Sequence, residues 1–169
     1  NNEKQDYQFE TPVTVWDESS SSASHTNRPV GQPFFAVYNF FITHESQQFA
    51  RKDTLFIDPQ SVDVPVLYPN TSNVRKDLAR MYTNIERMDQ QVGELLDQLK
   101  KEGEYDNTYI FFFSDHGGVL PWMKREVLER GTHIPFVVRF PKGEFAGSEN
   151  NDLISAVDFA PTILSLAKV

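Results

Sequence analysis

The sequence contains no cysteine. That excludes disulfides, thiol nucleophiles and thiolate metal sites, and it leaves the redox compartment undetermined. No apolar run approaches the roughly 20 residues of a membrane helix, so no membrane span is expected. Positive charge is also short. The 16 Lys and Arg against 24 Asp and Glu give a net charge of −8, which argues against nucleic acid as the main partner. An anionic small substrate stays open, because a site can be locally positive on an acidic protein. The opening NNEKQDYQFE is polar and acidic and shows no signal peptide, which says little if the chain begins inside a longer protein.

What is present suits one soluble domain. The 169 residues are long enough to bury a core, and 39% are hydrophobic against 24% charged. Residues 1–32 read as an irregular leading segment, with DESSSSASHTNRPVGQP a loop by composition. Residues 33–169 carry the elements. The run FFAVYNFFIT, 34–43, reads as a buried strand. Residues 45–73, with prolines at 59, 65 and 69, read as a long loop of functional type.

Leu78, Met81, Ile85, Met88, Val92, Leu95 and Leu99 then recur at steps of three and four, which predicts an amphipathic helix. Thr71, Ser72 or Asn73 suits its start, Lys100 and Lys101 its negative end, and Gly103 its termination. NTYIFFFSD and IPFVVRF, 134–140, read as two more strands, and VDFAPTILSLA as a closing helix with Pro161 in its first turn and Asp158 as its cap. Strands that are apolar rather than alternating indicate an α/β sheet covered on both faces, here part of a mixed, mostly parallel sheet flanked by helices.

In open α/β sheets, ligands gather beyond the carboxyl ends of strands. Asp115 and His116 follow the strand in FFFSDHGG, and His44 follows the strand in FFITHES, which predicts one shared pocket. Oxygen and nitrogen donors without sulfur suit a hard or borderline divalent cation, with further ligands supplied from elsewhere. Asp-His-Gly after a strand also reads as a plain turn, since Asp and Gly are common turn formers. The 45–73 loop is expected to form one pocket wall, with its Arg51 and Lys52 available to a second anionic group. His25 reads as loop, the Met81 and Met88 stripe as core, and the phenylalanine-rich runs as packing.

Five segments in order resemble the sulfatase family of the alkaline phosphatase superfamily. They are PFFAVYNFFITHES, MYTNIERMDQQVGELLDQL, NTYIFFFSDHGG, KREVLERGTHIPFVVR and SAVDFAPTILSLA, and together they resemble the second half of its catalytic domain, over residues 33 to 169. The resemblance implies an alkaline phosphatase-like fold, incomplete here, and hydrolysis of sulfate esters. It implies a calcium ion at Asp115 and His116, where the family often has asparagine at the second position. It further implies that His44 contacts the sulfate and protonates the leaving oxygen, and that Lys124 pairs with the sulfate oxygens. His133 either lines the substrate pocket or is an ordinary strand-edge histidine, and Lys124 is open to reading as a solvated surface residue.

The family's nucleophile, a cysteine or serine in C/S-x-P-x-R that becomes formylglycine, has no counterpart here. SHTNR, Ser24 to Arg28, has the spacing but lacks the proline and is rejected. The expectation is therefore a sulfatase fragment, inactive alone, whose partners are a sulfate ester (aryl, glycan or lipid) and the remainder of its own polypeptide. Two alternatives remain: a phosphodiesterase or phosphoethanolamine transferase of the same superfamily, and a non-catalytic sulfatase-like module. The family suggests a periplasmic or secreted location.

Overall fold

The structure is a computed structural model that describes residues 4, 7–52 and 54–169. Its elements in chain order are α1 (Glu45–Ala50), α2 (Ser72–Lys101), β1 (Ile110–Phe113), α3 (Glu129–Thr132), β2 (Phe136–Arg139) and α4 (Phe159–Ala167), with short 3-10 turns between them.

The dominant element is α2, thirty residues long. Thr71 caps its start by accepting the Val74 amide at 3.3 Å. Lys100 and Lys101 occupy its last turn, where cations meet the negative helix end. The chain leaves through Gly103 at φ +74°, a backbone that glycine adopts without a Cβ penalty, and the Glu104 amide returns to Leu99 O at 3.0 Å.

The core forms around the first turns of α2. Leu78 and Ala79 are fully buried against Val62, Tyr68 and Leu120, with Met81, Val119 and Met123 packed around them. Burying a leucine of this kind contributes about 1.5–3 kcal/mol. Further along, the stripe is only half covered, and Ile85 is 42% exposed. The helix instead buries Thr83, whose Oγ1 accepts the amides of Phe56 at 3.1 Å and Ile57 at 3.4 Å and so holds the 54–70 loop to it. Arg75 does the same at the helix start through Val62 O and Asn70 Oδ1. The 45–73 region is thus partly regular: it opens with α1, tied to α2 by Gln48 Nε2 donating to Asp77 O at 2.7 Å.

Two expectations about the sheet need correction. Residues 33–40 have no regular secondary structure and 41–43 form a 3-10 turn, so the expected strand over 34–43 is absent, and Phe35 and Phe41 are largely exposed. A strand persists only where a neighbour takes its backbone groups, and no extended neighbour lies along this segment among the described residues. The sheet there is two-stranded and antiparallel, with Ile110 opposite Arg139 and Phe113 opposite Phe136, not mostly parallel. Parallel neighbours need a crossover, usually helical. The 114–135 connection contains only the single turn α3, so the chain folds back on itself. Phe113, Phe136 and Phe159 then pack together, with ring centroids 4.8 to 6.3 Å apart, and fix the start of α4 on the sheet. Asp158 precedes α4 without a side-chain cap bond to it; its Oδ2 instead accepts the Ser155 amide at 3.1 Å, in a capping box whose cap is Ser155 at the start of the 156–158 turn.

The leading segment is anchored more firmly than its composition suggests. His25 is 7% exposed. Its Nε2 lies 2.7 Å from Glu102 Oε2, its Nδ1 lies 2.9 Å from the Tyr38 hydroxyl, and its ring packs on Phe34. Because a carboxylate only accepts, Nε2 donates to Glu102. Arg28 adds a contact to Glu104 and lies over the Phe34 ring. Burial pushes the Glu102 carboxyl up, but hydrogen bonds from His25 and Gln98 and the nearby positive groups outweigh it and hold the group below its ordinary value.

His25→Ala strips partners from Tyr38 and Glu102 and is expected to cost about 1–3 kcal/mol in equilibrium unfolding. The Glu102 contribution follows from a depressed folded-state value. It is present above the unfolded carboxylate range, about 4.3, and is lost as pH falls through the folded value. Urea midpoints of the parent and Glu102→Gln should therefore differ at pH 7, and the difference should shrink as pH falls through the folded carboxyl's depressed value.

Candidate active site

The turn after β1 is held by its own side chains and by close backbone packing. Ser114 Oγ donates to His116 O at 2.6 Å. The Gly117 amide donates to Gly131 O at 2.9 Å, and a Cβ on Gly117 would lie 1.9 Å from Arg130 O. Within α3, a Cβ on Gly131 would lie 2.1 Å from Glu126 O. Gly117 therefore lets the DHGG turn touch the 130–131 backbone, and Gly131 lets α3 touch the 123–126 backbone, approaches that a side chain would forbid.

This arrangement presents Asp115 and His116 together. His116 Nδ1 lies 2.7 Å from Gly117 O, and because a carbonyl only accepts, the proton sits on Nδ1. In the neutral ring Nε2 then carries the free lone pair, 3.6 Å from Asp115 Oδ1. Asp115 Oδ2 pairs with Lys4 Nζ at 3.3 Å. Burial pushes the Asp115 carboxyl up, but the charge of His116 when its ring is protonated, and Lys4, pull it down further, so it lies below the ordinary carboxylate value. The carboxylate oxygens suit a hard cation such as calcium, the imidazole nitrogen suits a borderline one, and two donors alone do not complete a site for either. Among the described residues no group of three or more His, Asp or Glu side chains is placed to hold a metal ion.

His44 is not at a strand end. It is the N-cap of α1, where its Nδ1 accepts the Ser46 amide at 3.2 Å and lies 2.9 Å from Ser46 Oγ, with its ring stacked on Phe41. An accepting Nδ1 leaves the neutral ring's proton on Nε2. The next residue, Glu45, reaches 80 positions along the chain: its Oε2 is 3.5 Å from Lys124 Nζ and its Oε1 accepts from Arg125 Nη2 at 2.7 Å.

The loop that carries Lys124 is built on the core. Leu120 is buried beside Leu78, and the Tyr68 hydroxyl donates to Pro121 O at 2.6 Å. Burial raises the Tyr68 phenol above its ordinary value, with Arg130 opposing, so it stays protonated as that donor. Tyr68 also stacks with Trp122. Trp122 and Arg125 take positive φ, 62° and 71°, a region that side chains rarely occupy. The Lys124 amide donates to Gly118 O at 2.9 Å, which joins this loop to the DHGG turn.

The fold thus couples Asp115 and His116 directly, brings the residue beside His44 onto Lys124, and connects the two groups through backbone. His133 stands apart as an exposed residue after α3, with Nδ1 2.8 Å from Glu129 Oε1. An open cleft of about 530 Å³ lies between residues 38–42 and α2. Arg51 lines it, and none of the five predicted site residues does. Ser24 and Arg28 of SHTNR serve the leading segment, Ser24 as a turn cap and Arg28 as an anchor.

The family model for sulfatases matches residues 1–169. This chain belongs to the sulfatase family. It is 39% identical to an ulvan-active sulfatase from Formosa agariphila, over 98% of this chain and 34% of the relative. It is 38% identical to human N-sulphoglucosamine sulphohydrolase over 63% of this chain and 22% of the relative. An N-acetylglucosamine-6-O-sulfatase of Bacteroides thetaiotaomicron is 42% identical over 48% of this chain and 15% of the relative. The chain therefore spans about a third or less of these sulfatases. No solved structure matches it significantly. Membership implies an alkaline phosphatase-like α/β fold, to which the described residues contribute helices and a two-stranded antiparallel sheet.

Gly131→Ala tests the close backbone approach. With backbone oxygens of Glu126 and Met123 within 2.4 Å of the added carbon, it should cost about 3 kcal/mol, the upper range of overpacking. Thermal unfolding compared with Gly143→Ala, whose added carbon meets nothing within 4 Å, reads that cost against a site where only backbone conformation is disturbed.

Proposed function

We propose that the full-length protein is a sulfuric ester hydrolase to which this chain contributes acid, sulfate-binding and metal-binding groups. The observation that carries the reading is the convergence of the His44 segment on Lys124, beside a loop that is hydrogen-bonded to the Asp115–His116 turn.

The chemistry asks for these groups. As the bond between sulfur and the bridging oxygen breaks, negative charge develops on that oxygen. His44 points its Nε2–H to the leaving oxygen as a hydrogen-bond donor, and in its imidazolium form, with a second proton on Nδ1, it gives the Nε2 proton to that oxygen and returns to the neutral ring. The Lys124 ammonium pairs with the sulfate oxygens and holds the ester against that acid. Asp115 and the Nε2 lone pair of His116 would be two ligands of a calcium ion, with the others from outside these 169 residues. When bound, such an ion supplies positive charge to the sulfate oxygens. The nucleophile, expected as formylglycine, also lies outside this sequence, so the isolated chain is expected to be inactive. His133, paired here with Glu129, is proposed to line the substrate pocket.

Exposed Val137, Val157 and Leu164 on and near the small sheet suit contact with the rest of the polypeptide. The sulfate ester itself is left at class level, because the relatives named above carry different substrates in their names.

The test uses the full-length protein and a chromogenic aryl sulfate. Lys124→Met is expected to lower kcat/KM about 10²- to 10³-fold, and chelation to remove turnover until calcium is returned. Mass spectrometry of the nucleophile peptide should reveal the formylglycine aldehyde. An unmodified serine or threonine there would move the assignment to phosphate-ester chemistry, and the absence of any such peptide would favour a non-catalytic module.

A further inference from the structure

We propose that Glu45 is a positioning residue for the sulfate site, one that acts on the ester through Lys124; this rests on the sulfatase reading above. Three features of its surroundings point to that role. Glu45 is the first residue of α1, directly after His44, so the cap that orients the imidazole also fixes the carboxylate. Its two oxygens are divided between two cations, Oε1 to Arg125 and Oε2 to Lys124. The backbone that delivers those cations is held in an unusual conformation, with Arg125 at φ 71° and Trp122 at φ 62°. Such conformations persist where the surroundings over-determine them, as Leu120 and the Tyr68 hydroxyl do here.

The distribution of exposure separates positioning from stability. The Arg125 side chain is 73% exposed, whereas Lys124 and Glu45 are 19% and 27% exposed. An ion pair as open as Arg125 with Glu45 adds little to folding. What it does is restrain the carboxylate, so that the other oxygen meets Lys124 in one place. A lysine ammonium rides on four rotatable carbons and loses considerable freedom when an anion orders it. Glu45 orders it beforehand. The ammonium has three donors, and one spent on Glu45 leaves two for sulfate oxygens. The trio of Glu45, Lys124 and Arg125 keeps a net charge of +1, so an anion is still attracted.

The alternative is that Glu45 is only a favourable anion in the first turn of a short helix. A double-mutant cycle separates the two, because a residue acting through Lys124 has nothing to act on once Lys124 is gone. Full-length parent, Glu45→Gln, Lys124→Met and the double variant are compared for kcat and KM on the aryl sulfate, and for inorganic sulfate binding by calorimetry. Glu45→Gln alone is expected to lower kcat/KM on the order of ten- to a hundredfold. In the Lys124→Met background it should change neither turnover nor sulfate affinity further. Glu45→Asp, which keeps the charge, should recover part of the loss.

A Glu45→Gln loss of equal size in both backgrounds, or no loss in the parent, overturns the proposal while leaving the sulfatase reading intact. A parent that neither cleaves the ester nor binds sulfate overturns that reading, and this inference with it.

Discussion

The burial of Leu120 against Leu78 and Ala79 is the constraint on which the site depends. Leu120 lies between the DHGG turn and Lys124, so its insertion beside α2 sets where both groups can be. Tyr68, from a loop that Thr83 and Arg75 hold to the same helix, reinforces that placement by bonding Pro121 O and stacking on Trp122. The apolar contact is non-directional and needs only area. The direction comes from backbone hydrogen bonds, Gly117 to Gly131 and Lys124 to Gly118. Packing supplies the energy and the glycines supply the geometry.

The two site histidines show how local backbone selects opposite chemistry from one side chain. His44 accepts an amide at Nδ1, whereas His116 donates to a carbonyl from Nδ1. The first therefore keeps its proton on Nε2 and offers a hydrogen-bond donor there, and the second exposes a lone pair on Nε2. The cause in each case is one neighbouring main-chain group, an N–H at a helix start or a C=O in a glycine turn. Charge is arranged on the same local scale. An acidic chain of net charge −8 nonetheless gathers Lys124 and Arg125 around a single carboxylate, and Lys4 beside Asp115.

Much of this was legible from residues alone where the signal was local. The α2 helix follows from its three-four spacing, its cap from Thr71, and its end from Gly103. The Asp115–His116 pairing follows from adjacency after an apolar run. Expectations failed where the outcome depended on partners distant in sequence. FFAVYNFFIT has strand composition, but a strand is completed by a neighbour, and no neighbour pairs with it among the described residues. His25 looked like part of a polar loop, yet Tyr38 and Glu102 bury it. Glu45 carried no signal beyond standing next to His44.

The sequence by itself determined the helical periodicity, the turn chemistry after β1 and the identity of the ionisable groups, because each depends on residues within a few positions of one another. The tertiary structure decided the antiparallel pairing of β1 with β2, the burial of His25 and the meeting of Glu45 with Lys124. Those depend on backbone direction and on contacts between residues up to 80 positions apart. No local pattern encodes such contacts; they exist only once the core around Leu78 has closed.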